Sequence, residues 1–246
     1  MKIVDCNCSY GRTSRPPYRY AAVPSELLEE MDFCGIDEAL IFHTNQRFAS
    51  PQQWNLKLVS DISSFRERLF PTWAILPTAC GELGSVEQFM TDMRKNGIRA
   101  LRAFPQEHRY CLDKVSFPDL FLVMAQKRIP LFVKENLLEV KNLLTEIPDL
   151  IVVAVNQGPH SLDRYLWPLM DNFPNLYVET SYLLVEGVIE KMCERYGHSR
   201  LLFGSGFPDN ASGGALTRLA QADIGEEARS AIAGLNLLRL LEGVRL

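Results

Sequence analysis

No run of this sequence stays apolar for the roughly 18–20 residues that a membrane-spanning helix needs, so no membrane partner is expected. The six cysteines form no C-x-x-C pair and fall far short of a disulfide scaffold, which makes a reducing cytoplasm the expected setting. Charge of one sign is also scarce. A net charge of −4, with Lys and Arg scattered rather than clustered, leaves no electrostatic footprint for DNA, RNA or an anionic surface. The chain opens on a strand-like Lys2-Ile3-Val4-Asp5 without a basic leader and apolar core, so no signal peptide is expected. Linkers and low-complexity segments are lacking too, and one domain over residues 1–246 is the expectation.

What is present is a regular alternation. Strand-like apolar runs recur at 3–6, 39–43, 69–76, 98–104, 130–134, 151–156, 176–181 and 201–204. Several are continuous hydrophobic runs, the pattern of parallel strands covered on both faces. Amphipathic stretches lie between them: 24–34, 86–95, 117–127, 137–146, 162–172 and 185–196. The first carries Pro24 and Ser25 at its entry and Gly35 as its stop. Eight strand-then-helix units in 246 residues predict an α/β fold, a (β/α)8 TIM barrel of eight parallel strands. A doubly wound open sheet is the alternative.

Four motifs sit at the predicted strand ends: Val4-Asp5-Cys6-Asn7-Cys8-Ser9-Tyr10-Gly11, Pro130-Leu131-Phe132-Val133-Lys134, Val152-Val153-Ala154-Val155-Asn156-Gln157-Gly158 and Phe203-Gly204-Ser205-Gly206-Phe207-Pro208. They resemble the amidohydrolase-related family, the group that includes aminocarboxymuconate semialdehyde decarboxylase. There the stretches read roughly D-x-H-x-H-x-G, P-[VLI]-x-[VLI]-H, a strand ending in H-x-G, and F-G-[ST]-D-x-P. Weaker family-like stretches at 26–37, 96–100, 173–178 and 236–241 extend the resemblance through nearly the whole chain.

The resemblance implies that Asn7, Ser9, Lys134, Asn156 and Gly206 stand at the family's metal-ligand positions. Zinc and similar ions prefer imidazole, thiolate or carboxylate donors. Two amides, a hydroxyl, an amine and a hydrogen replace them here, and a protonated Lys134 would repel a cation. No metal and no other cofactor are expected. Cys6 and Cys8 do not restore the site, because strand alternation turns them toward the helices when Asn7 and Ser9 face the mouth. Asp5 shares the parity of Asn7 and needs a partner in the interior.

The remaining polar residues each have a bland and a functional reading. Lys134 either pairs with a carboxylate such as Asp5 or anchors an anionic substrate, serving also as base or nucleophile. Schiff-base chemistry lacks a second signal. Arg102 either forks onto a carboxylate or points outward as a structural residue. His43 and His160 are either acid–base groups or hydrogen-bonded structural histidines, whereas His108 and His198 are expected at the surface. Glu179 and Ser181 end the seventh strand and are candidates to line the mouth. Ser205, in a Gly-rich turn after the eighth strand, could help cradle a phosphate through backbone N–H groups, or the turn could be a plain loop.

Three functions remain open. The first is a barrel without its metal site, a degenerate or non-hydrolytic member that binds a small carboxylate through Asp5, Asn7, Ser9, Arg102, Asn156, Glu179 and Ser205. The second is a metal-independent hydrolase or decarboxylase using Lys134, His43 and His160. Resemblance allows it, since the wider superfamily includes a lactonase that opens a pyrone dicarboxylate without a divalent ion, although that relative keeps more of the histidines. The third is a barrel for a phosphate ligand. A small molecule is the expected partner, and a homodimer is compatible with barrels of this kind.

Overall fold

The computed structural model describes residues 1–12, 17, 19–134, 137–158 and 162–246, apart from the side chains of 162 and 163. Nine strand segments run in chain order: β1 (Val4–Tyr10), β2 (Glu38–His43), β3 (Leu69–Pro71), β4 (Trp73–Ala74), β5 (Leu101–Ala103), β6 (Leu131–Lys134), β7 (Val152–Val155), β8 (Leu176–Glu179) and β9 (Leu201–Leu202). Every neighbouring pair is parallel. β3 and β4 are one predicted strand broken at Thr72. Pro71 has no N–H to continue the ladder, and the chain changes partner there: Thr72 N–H reaches Ile41 O at 2.9 Å, while Trp73 N–H reaches Ala100 O at 3.3 Å.

Eight positions therefore complete a ring, a TIM barrel. Backbone bonds of the segment after β9 join it to β1: Cys6 N–H to Phe203 O, Ser9 N–H to Phe207 O and Gly206 N–H to Asn7 O, each 2.9 Å. The apolar residues separate into two layers. Val4, Cys6, Leu40, Phe132, Val153 and Leu202 fill the interior, and Leu237, Leu240 and Leu241 pack beneath them. Ile41, Leu101, Leu131, Val152 and Val178 face outward and meet helical residues such as Leu27, Met31, Leu58, Phe121 and Leu143. No helix among the described residues is long and apolar enough to cross a membrane.

The helices follow local chemistry. α1 (Pro24–Cys34) starts with proline in its first turn and ends at Gly35. There φ is +72°, and Ile36 N–H bonds back to Met31 O at 2.8 Å. The helix expected from 117 begins only at Leu120, because Pro118 disfavours helical backbone at Phe117. That expected from 185 begins at Val188, after Gly187 with φ +68°. Helices at Pro51–Asp61 and Ser212–Gln221 complete the outer layer without having been predicted.

One local expectation is overturned. β1 carries a register shift between Asp5 and Cys8, an irregularity of the bulge kind that breaks the alternation of faces. Cys6 consequently packs in the interior with Leu40 and Phe132, and only Cys8 joins the outer layer. Asp5 likewise loses the parity of Asn7.

Candidate functional site

Polar side chains from β1, β5, β7 and β8 meet at the C-terminal mouth, and Asn7 is their junction. Its Oδ1 accepts from Arg102 Nη1 at 3.0 Å. Its Nδ2 donates to Asn156 Oδ1 at 2.6 Å and to Glu179 Oε2 at 3.1 Å. Two of the residues singled out by the family resemblance thus bond to each other. The bulge in β1 aims Asn7 inward, and Asn156 follows β7 with φ +53°, a left-handed turn that asparagine tolerates.

Arg102, from β5, lies inside the barrel and not on its outer face. It also donates from Nε to Thr72 Oγ1 at 3.1 Å and from Nη2 to Cys6 O at 2.8 Å. Phe42 and Phe132 cover the guanidinium, with centroids 4.5 and 4.9 Å away. Burial pulls its pKa down to about 10, so it stays charged at neutral pH.

Glu179, at the end of β8, is fully buried. Besides Asn7, it accepts from Asn156 N–H at 3.1 Å, from Ser181 Oγ at 2.8 Å and from Ser181 N–H. Burial pushes its pKa up to about 7, although the Asn156 and Ser181 donors oppose the shift. Asp5 is raised by burial too, and accepts from Asn7 N–H at 2.9 Å and Ser205 N–H at 3.0 Å. Burial lifts the Cys6 and Cys8 thiols well above their ordinary range, leaving them protonated at neutral pH.

The other predicted residues are dispersed. His43 is buried, stacked on Trp54 at 4.2 Å and edge-on to Tyr10 at 4.9 Å. Asn45 N–H donates to its Nδ1 at 3.0 Å, and burial lowers its pKa to about 4. It is a neutral, firmly held ring. Lys134 ends β6, half-buried, alongside Val155 of β7. His160 lies outside the described residues. His108, expected at the surface, is half-buried with Nε2 3.0 Å from Gln46 O.

The turn after β9 has its N–H groups engaged: Gly204 with Thr180 Oγ1 at 3.4 Å, Ser205 with Asp5, Gly206 with Asn7 O and Phe207 with Ser205 Oγ at 3.0 Å. That leaves little for a phosphate, and the geometry speaks against the phosphate reading.

Beside this network lies a cavity of ≈ 520 Å³ whose lining includes Ser9, Arg12, Phe42, Thr44, Arg47 and Asp209. Of the residues that sequence reasoning named, Ser9 lines it. Arg47 is tied to Glu107 through Nε, and its Nη1 stands 3.9 Å from Asp209. The Thr44 hydroxyl is buried without a hydrogen-bond partner among the described residues. Arg12, Thr44, Arg47 and Asp209 belong to no motif. The one available signal was position, just beyond β1, β2 and β9. A larger groove of ≈ 770 Å³ runs between the helices Leu137–Glu146 and Leu162–Asn172, away from the strand ends.

The residues present do not fit the family's metal. Among the described residues no three His, Cys, Asp or Glu side chains converge as a ligand set. Of the residues singled out by the resemblance, Asn7 donates its Nδ2 to the Asn156 Oδ1, and a fixed guanidinium donates to the Asn7 Oδ1.

The fold recurs in solved structures. A 2,6-dihydroxybenzoate decarboxylase from Rhizobium superposes with TM-score 0.78 at 15% identity, covering 98% of each chain. A 5-carboxyvanillate decarboxylase from Sphingomonas paucimobilis gives 0.76 at 13%, covering 98% of this chain and 99% of that one. A dihydroxybenzoic acid decarboxylase from Polaromonas with bound manganese gives 0.78 at 12%, covering 98% and 97%. No curated protein matches the chain. The sequence model of the amidohydrolase family matches residues 32–242, most of the chain, and this protein therefore belongs to the amidohydrolase family.

Proposed function

We propose that this chain is a metal-independent member of its family that binds a small carboxylic acid in the mouth cavity. The observation that carries the reading is the side-chain network itself. Arg102, Asn7, Asn156 and Glu179 saturate one another where the family frame holds an ion, while a separate cavity stays open beside them. Its wall includes two guanidinium groups, a phenyl ring at Phe42 and the hydroxyl residue Ser9. Guanidinium recognises carboxylate by charge-assisted bonds, and the volume suits a small molecule. The decarboxylases of the same fold are named for aromatic acids, which makes this ligand class the first to try.

Water activation by a metal is not part of this reading, because no three donors of the kind an ion needs converge among the described residues. His43 is better suited to holding the β2 loop than to moving protons, since its Nδ1 is already an acceptor and its ring is packed on both sides.

The test joins metal analysis with calorimetric titration. Purified protein dialysed against zinc or manganese is expected to retain neither, and 2,6-dihydroxybenzoate to bind with an affinity that Arg47→Ala weakens at least tenfold. Close to one equivalent of tightly held metal would overturn the reading. So would binding that Arg47→Ala and Arg12→Ala leave unchanged.

A further inference from the structure

A guanidinium inside a barrel needs an explanation. Arg102 is 2% exposed, and Nε, Nη1 and Nη2 each donate to an oxygen of the barrel wall. Burying a charge is costly unless opposite charge and hydrogen bonds offset the lost hydration. The hydrogen bonds are direct, its three donors reaching residues of β1 and Thr72 between β3 and β4, and the carboxyl of Glu179 stands one residue away, behind Asn7. Asn7 extends the connection by passing its Nδ2 to Asn156 beyond β7 and to Glu179 on β8. One cation thereby organises groups from β1, the β3–β4 junction, β5, β7 and β8.

By resemblance, Asn7 and Asn156 occupy two positions at which the family frame surrounds an ion. An ion there would neutralise buried carboxylate and pull the strand ends together. We propose that the Arg102 guanidinium is the resident cation of this barrel, a covalently attached replacement for the ion, which holds the strand ends in register and leaves divalent metal no place. The proposal rests on the metal-independent reading above, but not on any ligand of the mouth cavity. The competing explanation is that Arg102 merely fills space between Phe42 and Phe132.

Chemical rescue separates the two. Arg102→Ala should melt well below the wild type. Guanidinium chloride at millimolar concentration should then raise its melting temperature by several degrees while leaving the wild type unmoved. Urea, planar and of similar size but uncharged, should not. Equal rescue by both solutes, or by neither, overturns the proposal. If Arg102→Ala does not fold, Arg102→Lys and Arg102→Met decide. A lysine variant that melts above the methionine variant supports a required charge, and a methionine variant as stable as the lysine one overturns it. Metal retained by the wild type would instead strike the metal-independent reading itself, so the two failures are distinguishable.

Discussion

Gly204 has no side chain because Glu179 fills the place where one would stand. A Cβ built on Gly204 would lie 2.3 Å from Glu179 Oε1 and 2.6 Å from its Cδ. Neither partner can yield. The carboxylate is held by Asn7, Asn156 and Ser181, and the backbone at 204 neighbours residues bonded across the barrel seam. Gly204→Ala should therefore destabilise the fold by about 1–3 kcal/mol, the usual cost of overpacking a filled interior. Urea denaturation measures this, and a variant within experimental error of the wild type would show that the carboxylate moves freely.

The same carboxylate sets a pH dependence. Its folded pKa of about 7 lies above the ordinary 4.5, so the folded chain keeps a proton that the unfolded chain releases first. Stability is fully present below pH 4.5 and falls as pH rises toward 7, by up to roughly 3 kcal/mol at 1.36 kcal/mol per unit. Asp5, also raised, acts in the same direction. His43 acts oppositely: its folded pKa near 4 lies below the ordinary 6.5, so stability is lost as pH falls through that interval. The wild type should be comparatively flat between pH 4.5 and 6.5, and Glu179→Gln should expose a rise with pH over the same range. Identical pH profiles for wild type and Glu179→Gln would refute the raised carboxylate.

Asn7 couples Arg102 to the Asn156–Glu179 pair. Asn7→Ala removes an acceptor from Arg102 and a donor from both Asn156 and Glu179. Leaving buried polar groups unmatched costs about 1–3 kcal/mol. Because Arg102→Met already sacrifices one of these bonds, the double variant should lose less stability than the sum of the single losses. Strict additivity in this cycle would mean that the contact between the two residues contributes nothing.

The sequence told most about what periodicity and punctuation encode. Strand runs, Gly35 as a helix stop and the four strand-end motifs placed the barrel, and they put Asn7, Asn156 and Glu179 at one end of it. Three features were hidden. The irregularity in β1 has no glycine or proline to announce it, so Cys6 was assigned to the wrong face. The inward aim of Arg102 depends on aromatic rings from β2 and β6, distant in sequence. The cavity, finally, is built by Arg12, Thr44, Arg47 and Asp209 on the separate segments that follow β1, β2 and β9, where spatial proximity leaves no local pattern.

Thr44 offers a test in which stability and binding separate. Its side chain borders the cavity, and its hydroxyl is buried with no hydrogen-bond partner among the described residues. Such a group costs free energy in the folded chain, and Val has nearly the same shape without the hydroxyl. Thr44→Val should therefore gain about 1 kcal/mol in denaturation, where a buried polar residue replaced by an apolar one is otherwise expected to lose. The same substitution should leave 2,6-dihydroxybenzoate binding unchanged, because the hydroxyl is buried and packs beside Gly11. Loss of stability would place the Thr44 hydroxyl in the service of the fold, and loss of affinity would show that it turns toward the ligand, beside Ser9 and Arg47.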